Sequence, residues 1–288
     1  MAATDLDPLV FKAAARDQWD RCAHGWHDHD PQLQAWLRGA TQSMLDAAGV
    51  VPGAAVLDVA AGSGGQTRDI ATAVGPTGRV LATDLSPVLV ALAADNARRA
   101  GLMNVTVRVA DAEDLDVGEG VFDAAVCRLG LMLMPEPAMA LRGMLGSLRP
   151  GARAAVLVFG EPARNPCVSL LMKTALEHAG LPPRDPFAPG SLLSLGANGR
   201  LAGVFESVGF EDVRHGTLAA PFELPSAGHY LEFVRTSASP IVQILAALPP
   251  AAAEAAWSDM EARLQVFASS DGWIGPNELV WVSGRRPA

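Results

Sequence analysis

Short apolar runs alternate with amphipathic segments between residues 54 and 160. Such alternation indicates βαβ units, and right-handed crossovers between them give an α/β fold with an open, doubly wound parallel sheet covered on both faces. Five runs rich in β-branched or small apolar residues predict strands: Ala54–Ala60, Val80–Asp84, Val105–Val109, Phe122–Cys127 and Ala154–Phe159. Three segments of ten or more residues predict helices: Gly65–Val74, Pro87–Ala100 and Glu136–Leu148.

The flanking segments follow a helical pattern more than an alternating one. Residues 8–49 predict helices that carry Trp19, Trp26 and Trp36, with a polar break from His24 to Pro31. Residues 161–190 also predict helix, although they contain many prolines. Further along, the pattern predicts these elements: a helix at Asn198–Val208, strands at Glu211–Leu224 and Leu279–Gly284, and a helical insertion at about 226–268.

We therefore expect three parts: an N-terminal helical lid (1–49), a cofactor-binding core (50–160) and a remainder (161–288). The remainder completes the sheet and adds helical cap insertions at about 161–195 and 226–275. Lid and caps are expected over the carboxyl edge of the sheet, which is where ligands bind in open α/β folds.

Composition narrows the class of partner. The net charge is −9 and the basic residues form no cluster, so a nucleic acid is disfavoured as a substrate. No apolar run approaches the roughly 18 residues of a membrane span, and the N-terminus lacks the pattern of a secretory signal. The cysteines, Cys22, Cys127 and Cys167, are typical of reduced thiols, which favours the cytoplasm.

The strongest local signal is a glycine-rich loop between the first strand and the helix that follows it. Gly62 and Gly64 allow the backbone to approach a ligand closely, and the helix N-terminus beyond them offers free N–H groups. A tight turn in any α/β protein has the same appearance, so the loop by itself is not specific.

Carboxylates at successive strand ends add specificity. Asp84 ends the second strand, 22 residues after Gly62, where dinucleotide-binding folds place an acidic residue on the ribose. Asp111 ends the third strand. A single strand-end aspartate is usually a helix cap, but Asp58, Asp84 and Asp111 in this order are difficult to explain as caps.

A nicotinamide site is the nearest competitor. Its G-x-G-x-x-G pattern requires glycine where this chain has Thr67, and Asp58 would face an anionic pyrophosphate. S-adenosylmethionine (SAM) carries an ammonium and a sulfonium instead, which suit acidic neighbours.

The region from 54 to 160 resembles class I SAM-dependent methyltransferases, and is similar to the ubiquinone/menaquinone biosynthesis C-methyltransferase group (methyltransferase type 11/25-like). The resemblance is carried by VLDVAAGSGG, LATDLSP, VADAEDL and the stretch FDAAVCRLGLMLMPEPAMALRGMLGSLRPGARAAV. It implies a Rossmann-like sheet of seven strands with the last one antiparallel.

The resemblance also implies roles for individual residues. Asp58, the backbone of Ala60–Gly64 and the neighbouring side chains would hold the methionine moiety, Asp84 the ribose with Leu85 on the adenine, and Asp111 and Ala112 the adenine nitrogens. Cys127 and Arg128 would line the methionine end. The family usually has glycine at the position of Ala60. The predicted cofactor-binding residues are Asp58, Ala60, Gly62, Ser63, Gly64, Gln66, Asp84, Leu85, Asp111, Ala112, Cys127 and Arg128.

The sequence identifies no catalytic residue firmly. His24, His27 and His29 are candidates for a general base; as a group they also resemble a metal site, but a solvated polar break is the favoured interpretation and no metal is expected. The tryptophans either close over SAM and acceptor or, for Trp19 and Trp36, fasten the lid. Residues expected to line an apolar acceptor pocket are Trp19, Trp26, Phe187, Tyr230, Phe233 and Trp273.

These features predict methyl transfer from SAM to an O, C or N atom of a small, largely apolar metabolite, quinol-like or specialised. Two alternatives stay open: an enzyme of the same fold that binds SAM without methylating, and an NAD-dependent oxidoreductase. The oligomeric state, monomer or homodimer, is also open.

Overall fold

A computed structural model describes residues 8–237 and 240–288. Its helices are α1 (Pro8–Asp28), α2 (Asp30–Ala48), α3 (Gly65–Val74), α4 (Pro87–Arg99), α5 (Pro137–Ser147), α6 (Pro166–His178), α7 (Arg200–Ser207), α8 (Ala227–Thr236), α9 (Pro240–Ala246) and α10 (Pro250–Leu264). Its strands are β1 (Ala55–Val59), β2 (Arg79–Asp84), β3 (Val105–Val109), β4 (Phe122–Arg128), β5 (Leu148–Phe159), β6 (Glu211–Ala219), β7 (Phe222–Leu224), β8 (Ala268–Ser269), β9 (Gly272–Gly275) and β10 (Glu278–Arg285).

The main sheet has seven strands in the order β3-β2-β1-β4-β5-β10-β6. Strands β1 to β5 pair in parallel, whereas β10 is antiparallel to both of its neighbours. This confirms the predicted Rossmann-like fold with an antiparallel last strand. The chain order reverses beside β1, so the loops that follow β1 and β4 diverge there and leave a crevice at the carboxyl edge.

Burial explains why the central strands were predictable. All five residues of β1 are buried, and the four residues from Ala124 to Cys127 in β4 are fully buried. Strands covered on both faces appear in a sequence as continuous apolar runs. Strand β5 begins at Leu148, earlier than the predicted Ala154, and its register with β4 is interrupted between Phe122 and Ala124.

The N-terminal helices differ from the prediction. Helix α1 continues through His24 and His27 to Asp28, and α2 starts only two residues later. The predicted polar break from His24 to Pro31 is therefore wrong as a loop. Pro31 lies in the first turn of α2, where a residue needs no N–H donor. Gly25 packs against Thr236 of α8 so closely that an added Cβ would lie 2.4 Å from the Thr236 carbonyl oxygen.

The C-terminal part also differs in detail. The strand predicted at Glu211–Leu224 is two strands, because Pro221 cannot donate to a ladder; β6 joins the main sheet and β7 joins β9 and β8 in a small second sheet. Helix α6 ends at His178, so the prolines that follow lie outside it. In the described residues, no helix combines the length and the apolar character that a bilayer crossing needs.

Trp36 fastens α2 to the sheet and the cap. Its ring stacks on Phe222 with centroids 3.9 Å apart, and its indole N–H donates to the carbonyl of Ala220 at 2.6 Å. Of the two interpretations of the tryptophans, the structure favours for Trp36 the one in which it fastens the lid.

Candidate functional site

Two cavities adjoin at the carboxyl edge of the sheet. The smaller, of about 150 Å³, lies over the loops that follow β1, β2, β3 and β4. The larger, of about 680 Å³, lies between α1, α6 and the segment 181–193. Four residues line both cavities and form their shared wall: Phe11, Ala15, Trp19 and Leu133.

Asp84 holds the glycine-rich loop in place while it lines the smaller cavity. Its Oδ2 accepts the N–H of Gly62 at 2.9 Å, and its Oδ1 accepts the N–H of Ser86 at 3.0 Å. Burial raises the pKa of this carboxyl above its ordinary value, against these hydrogen bonds. Each carboxylate oxygen has a second lone pair, so Asp84 retains capacity for a ligand hydroxyl.

Asp58 lies beneath the loop and not in the cavity. Its carboxylate accepts hydrogen bonds from the amide of Gln66 and, at 2.6 Å, from the hydroxyl of Thr67. Burial raises its pKa from 3.8 to about 6, although both hydrogen bonds act in the other direction. Asp58 does not line the cavity itself but positions Gln66, which does. Its predicted role in holding the methionine moiety stays a prediction.

Ala60 occupies a backbone conformation that favours glycine. Its φ is 56°, and it lines the smaller cavity. Gly130 lies directly opposite, where an added Cβ would stand 2.4 Å from the Ala60 Cβ. The methyl group of Ala60 is thus accommodated because residue 130 has no side chain.

Asp111 is bound to the N-terminal helix. Lys12 Nζ lies 2.7 Å from Asp111 Oδ2 and 2.7 Å from Glu113 Oε2. Burial works against the charge on Lys12, but both hydrogen bonds favour it, and the pKa of Lys12 is raised above 10.5. Lys12, a lining residue that sequence reasoning missed, closes α1 over this end of the cavity.

The structure brings most of the predicted cofactor residues together. Those that line the smaller cavity are Ala60, Gly62, Ser63, Gln66, Asp84, Leu85, Asp111, Ala112 and Arg128. Gly64 instead supports the loop from below, where an added Cβ would lie 3.0 Å from that of Ala93. Cys127 does not line the methionine end as expected, because its side chain is fully buried in the sheet, and burial raises its pKa to about 12.

The three candidate histidines line neither cavity. His24 is exposed, His27 Nδ1 is 3.3 Å from the Asn96 amide, and His29 Nδ1 is 2.8 Å from the Gly25 carbonyl. A role for them as a general base therefore stays a prediction. Over residues 8–237 and 240–288, no group of three or more His, Cys, Asp or Glu side chains is arranged to hold a metal.

Of the six residues predicted to line an acceptor pocket, two line a cavity, and only Trp19 lines the larger one. Trp19 and Trp26 line the smaller cavity, edge to face at 5.7 Å. Tyr230, Phe233 and Trp273 are buried in the core of the cap, because apolar side chains of α6, α8 and α10 pack around them. Phe187 is half-buried, but it is its neighbours Pro186 and Ala188 that line the larger cavity.

Comparisons with known proteins agree with this geometry. Residues 56–151 match a family model described as a methyltransferase domain. The ubiquinone/menaquinone biosynthesis C-methyltransferase of Idiomarina loihiensis is 35% identical over 119 residues, 41% of this chain and 47% of that protein. The chain spans about half the length of the curated relatives it matches.

Two solved structures share the fold over most of the chain. One is a phosphoethanolamine N-methyltransferase of Haemonchus contortus in complex with phosphomonomethylethanolamine and S-adenosylhomocysteine (TM-score 0.58, 16% identity, 95% of this chain and 60% of that one). The other is the [4+2]-cyclase SpnF (TM-score 0.55, 21% identity, 86% and 80%). At these identities the likeness extends to the fold alone.

Proposed function

We propose that this chain, whose residues 56–151 match a methyltransferase domain, transfers the methyl group of SAM to a small, largely apolar molecule. The proposal is supported by the match to the family, by relatives about 35% identical and by the acidic cavity at the switch point of the sheet. The matches cover about half the length of the relatives, and the proposal applies the methyltransferase activity of those relatives to the whole of this chain.

The placement of Asp84 carries the proposal. Asp84 ends β2, lines the cavity beside the glycine-rich loop and keeps a free lone pair after accepting the backbone N–H groups of Gly62, Leu85 and Ser86. Ribose hydroxyls are donors that such a carboxylate binds. The absence of a side chain at Gly62 also leaves room for a ligand. An added Cβ there would lie 3.3 Å from the Trp26 indole nitrogen and would narrow the cavity.

The remaining lining residues divide along the cavity. Ser63, Gln66 and Arg128 would hold the methionine end, while Leu85 and Ala112 would pack on the adenine. Asp111 would accept from the adenine amino group once its contact with Lys12 is broken or shared. When bound, SAM supplies a methyl group on a sulfonium centre.

The larger cavity is the proposed acceptor site. It adjoins the cofactor cavity through Phe11, Ala15, Trp19 and Leu133, so the methyl group would cross this shared wall. None of these four side chains titrates. Among the described residues, catalysis would thus depend on holding the acceptor O, C or N atom in line, and no side chain of the shared wall would serve as a general base.

An acceptor screen tests the activity. The full chain is incubated with SAM and panels of phenols, quinols and amines, and S-adenosylhomocysteine is measured together with the methylated product. We expect acceptor-dependent formation of both in equal amounts. Product formed while SAM stays intact would contradict methyl transfer and would favour a SAM-binding enzyme that does not methylate.

The nicotinamide alternative is weaker, since the loop carries Thr67 where the nicotinamide motif requires a third glycine. A thermal-shift comparison of SAM with NAD distinguishes the two. We also propose a cytoplasmic enzyme with a small-molecule acceptor and no nucleic-acid substrate, which the net charge of −9 supports.

A further inference from the structure

The larger cavity is apolar along its walls. Val168, Met172 and Leu176 project into it from α6, and Leu192 and Leu193 close it from the opposite segment. Gly190 approaches the ring of Phe11 so closely that an added Cβ would lie 2.5 Å from it. Gln18 of α1 and Gln243 of α9, which also line the cavity, are hydrogen-bonded to each other. The cavity is thus enclosed from several sides and suited to an apolar body.

Four charged side chains line this cavity, two cations and two carboxylates: Lys173, Arg184, Glu177 and Asp185. One of the two carboxylates is paired with a cation, and the other accepts a backbone hydrogen bond. Glu177 is paired with Arg263 at 2.7 Å, and Asp185 accepts the backbone N–H of Phe187 at 2.9 Å.

The cations are freer. Lys173 is 3.8 Å from Glu177, at the limit of an ion pair, and its side chain is 73% exposed. Arg184 is exposed and, within the described residues, forms no hydrogen bond or ion pair with another side chain. An apolar cavity bordered by an unpaired guanidinium attracts ligands that combine an apolar body with an anionic group, because Arg forms bidentate pairs with carboxylates and related oxyanions.

We propose that the larger cavity binds an acidic apolar molecule, a ring or chain system that bears a carboxylate, sulfonate or phosphate, with Arg184 and Lys173 pairing its charge. That this molecule is the methyl acceptor rests on the methyl transfer proposed above. The anionic group would lie beside α6 and the segment 181–191, and the reactive atom at the shared wall beside Trp19.

Two fluorescent probes separate the apolar contribution from the charge. The probe 1-anilinonaphthalene-8-sulfonate has the ring system of N-phenyl-1-naphthylamine plus a sulfonate, and both emit strongly when buried in apolar surroundings. The full chain is titrated with each, with S-adenosylhomocysteine present. We expect the sulfonate probe to bind more tightly. R184Q should weaken its binding by about fivefold, the scale of a partly exposed charge pair, and leave the neutral probe unchanged.

Two variants make the result decisive. R99Q removes an exposed positive charge on α4, outside this cavity, and should change neither probe. A188W places an indole ring at the cavity wall and should weaken the binding of both probes. Equal effects of R184Q on the two probes, no effect on either, or an affinity for the sulfonate probe that A188W leaves unchanged would each overturn the proposal. Calorimetry with S-adenosylhomocysteine on the same samples tests the cofactor site separately, so a failure there leaves the result for this cavity interpretable.

Discussion

Lys12 Nζ lies 2.7 Å from Asp111 Oδ2, although 99 residues separate the two in the chain. The contact fastens α1 across the cofactor cavity, whose 150 Å³ is below the roughly 300–1,000 Å³ of typical ligand pockets. We therefore expect α1 to move when a ligand of that size enters.

Replacing Lys12 with Met should raise the association rate of S-adenosylhomocysteine several-fold, because two ion pairs no longer hold α1 closed. Trp19 and Trp26 line the cavity, so stopped-flow tryptophan fluorescence follows binding directly. Arg16→Met, an exposed change on the same helix, serves as the control. An association rate equal to that of the wild type would show that α1 does not limit entry.

Ala60 and Gly130 should be coupled. Gly130→Ala places two methyl groups 2.4 Å apart and should destabilise the fold. Ala60→Gly alone should be neutral or stabilise by about 1 kcal/mol, since the left-handed conformation disfavours a side chain. The double variant should recover much of the loss, because the clash is absent. Urea unfolding of the four proteins measures the coupling, and strictly additive free energies would disprove it.

Asp58 should make stability depend on pH. Its pKa is raised from 3.8 to about 6, so the folded protein holds this proton more tightly than the unfolded chain does. The folded state therefore loses stability as pH rises from about 4 to above 6, by up to about 3 kcal/mol. Asp58→Asn cannot ionise. The free energy of unfolding of this variant, measured with urea and compared with that of the wild type, should increase as pH rises across this range. A difference that stays constant with pH would contradict the raised pKa of Asp58.

The thiols should report the position of Cys127. Cys127 and Cys167 are buried and burial raises each pKa to about 12, whereas Cys22 is half-buried. Ellman's reagent should modify only Cys22 in the native protein, and Cys22→Ser should react hardly at all. A fast thiol in that variant, protected by S-adenosylhomocysteine, would place Cys127 in the cavity.

The local sequence pattern was sufficient to predict the sheet, but not to predict how α1 closes over the cavity. Strands β1 and β4 are buried on both faces and stand out as apolar runs, and Asp84 and Asp111 follow from their strand ends. Nothing near Lys12 indicates a partner 99 residues away. Tyr230 and Trp273 were assigned to a pocket because an apolar residue of a cap can face either a cavity or a core, and only tertiary packing decides between them.

The same limit applies to Asp58 and Thr67. Their positions in the sequence suggested a carboxylate facing a ligand and a departure from a nicotinamide motif. In the fold, the Thr67 hydroxyl donates to the Asp58 carboxylate beneath the loop. The spacing located the loop correctly, but the direction of the Asp58 side chain depends on the alternation of β1, which a continuous apolar run conceals.

Calorimetric titration with SAM tests the cofactor site most directly. The wild-type chain should bind one equivalent. Asp84→Ala should weaken binding at least tenfold, or about 1.4 kcal/mol, because the ribose loses its acceptor and Gly62 its support. Asp95→Ala, on the outside of α4, should bind as the wild type does. No binding to the wild type at about 100 µM SAM, an affinity weaker than roughly −5.5 kcal/mol, or unchanged affinity in Asp84→Ala, would contradict SAM binding at this site.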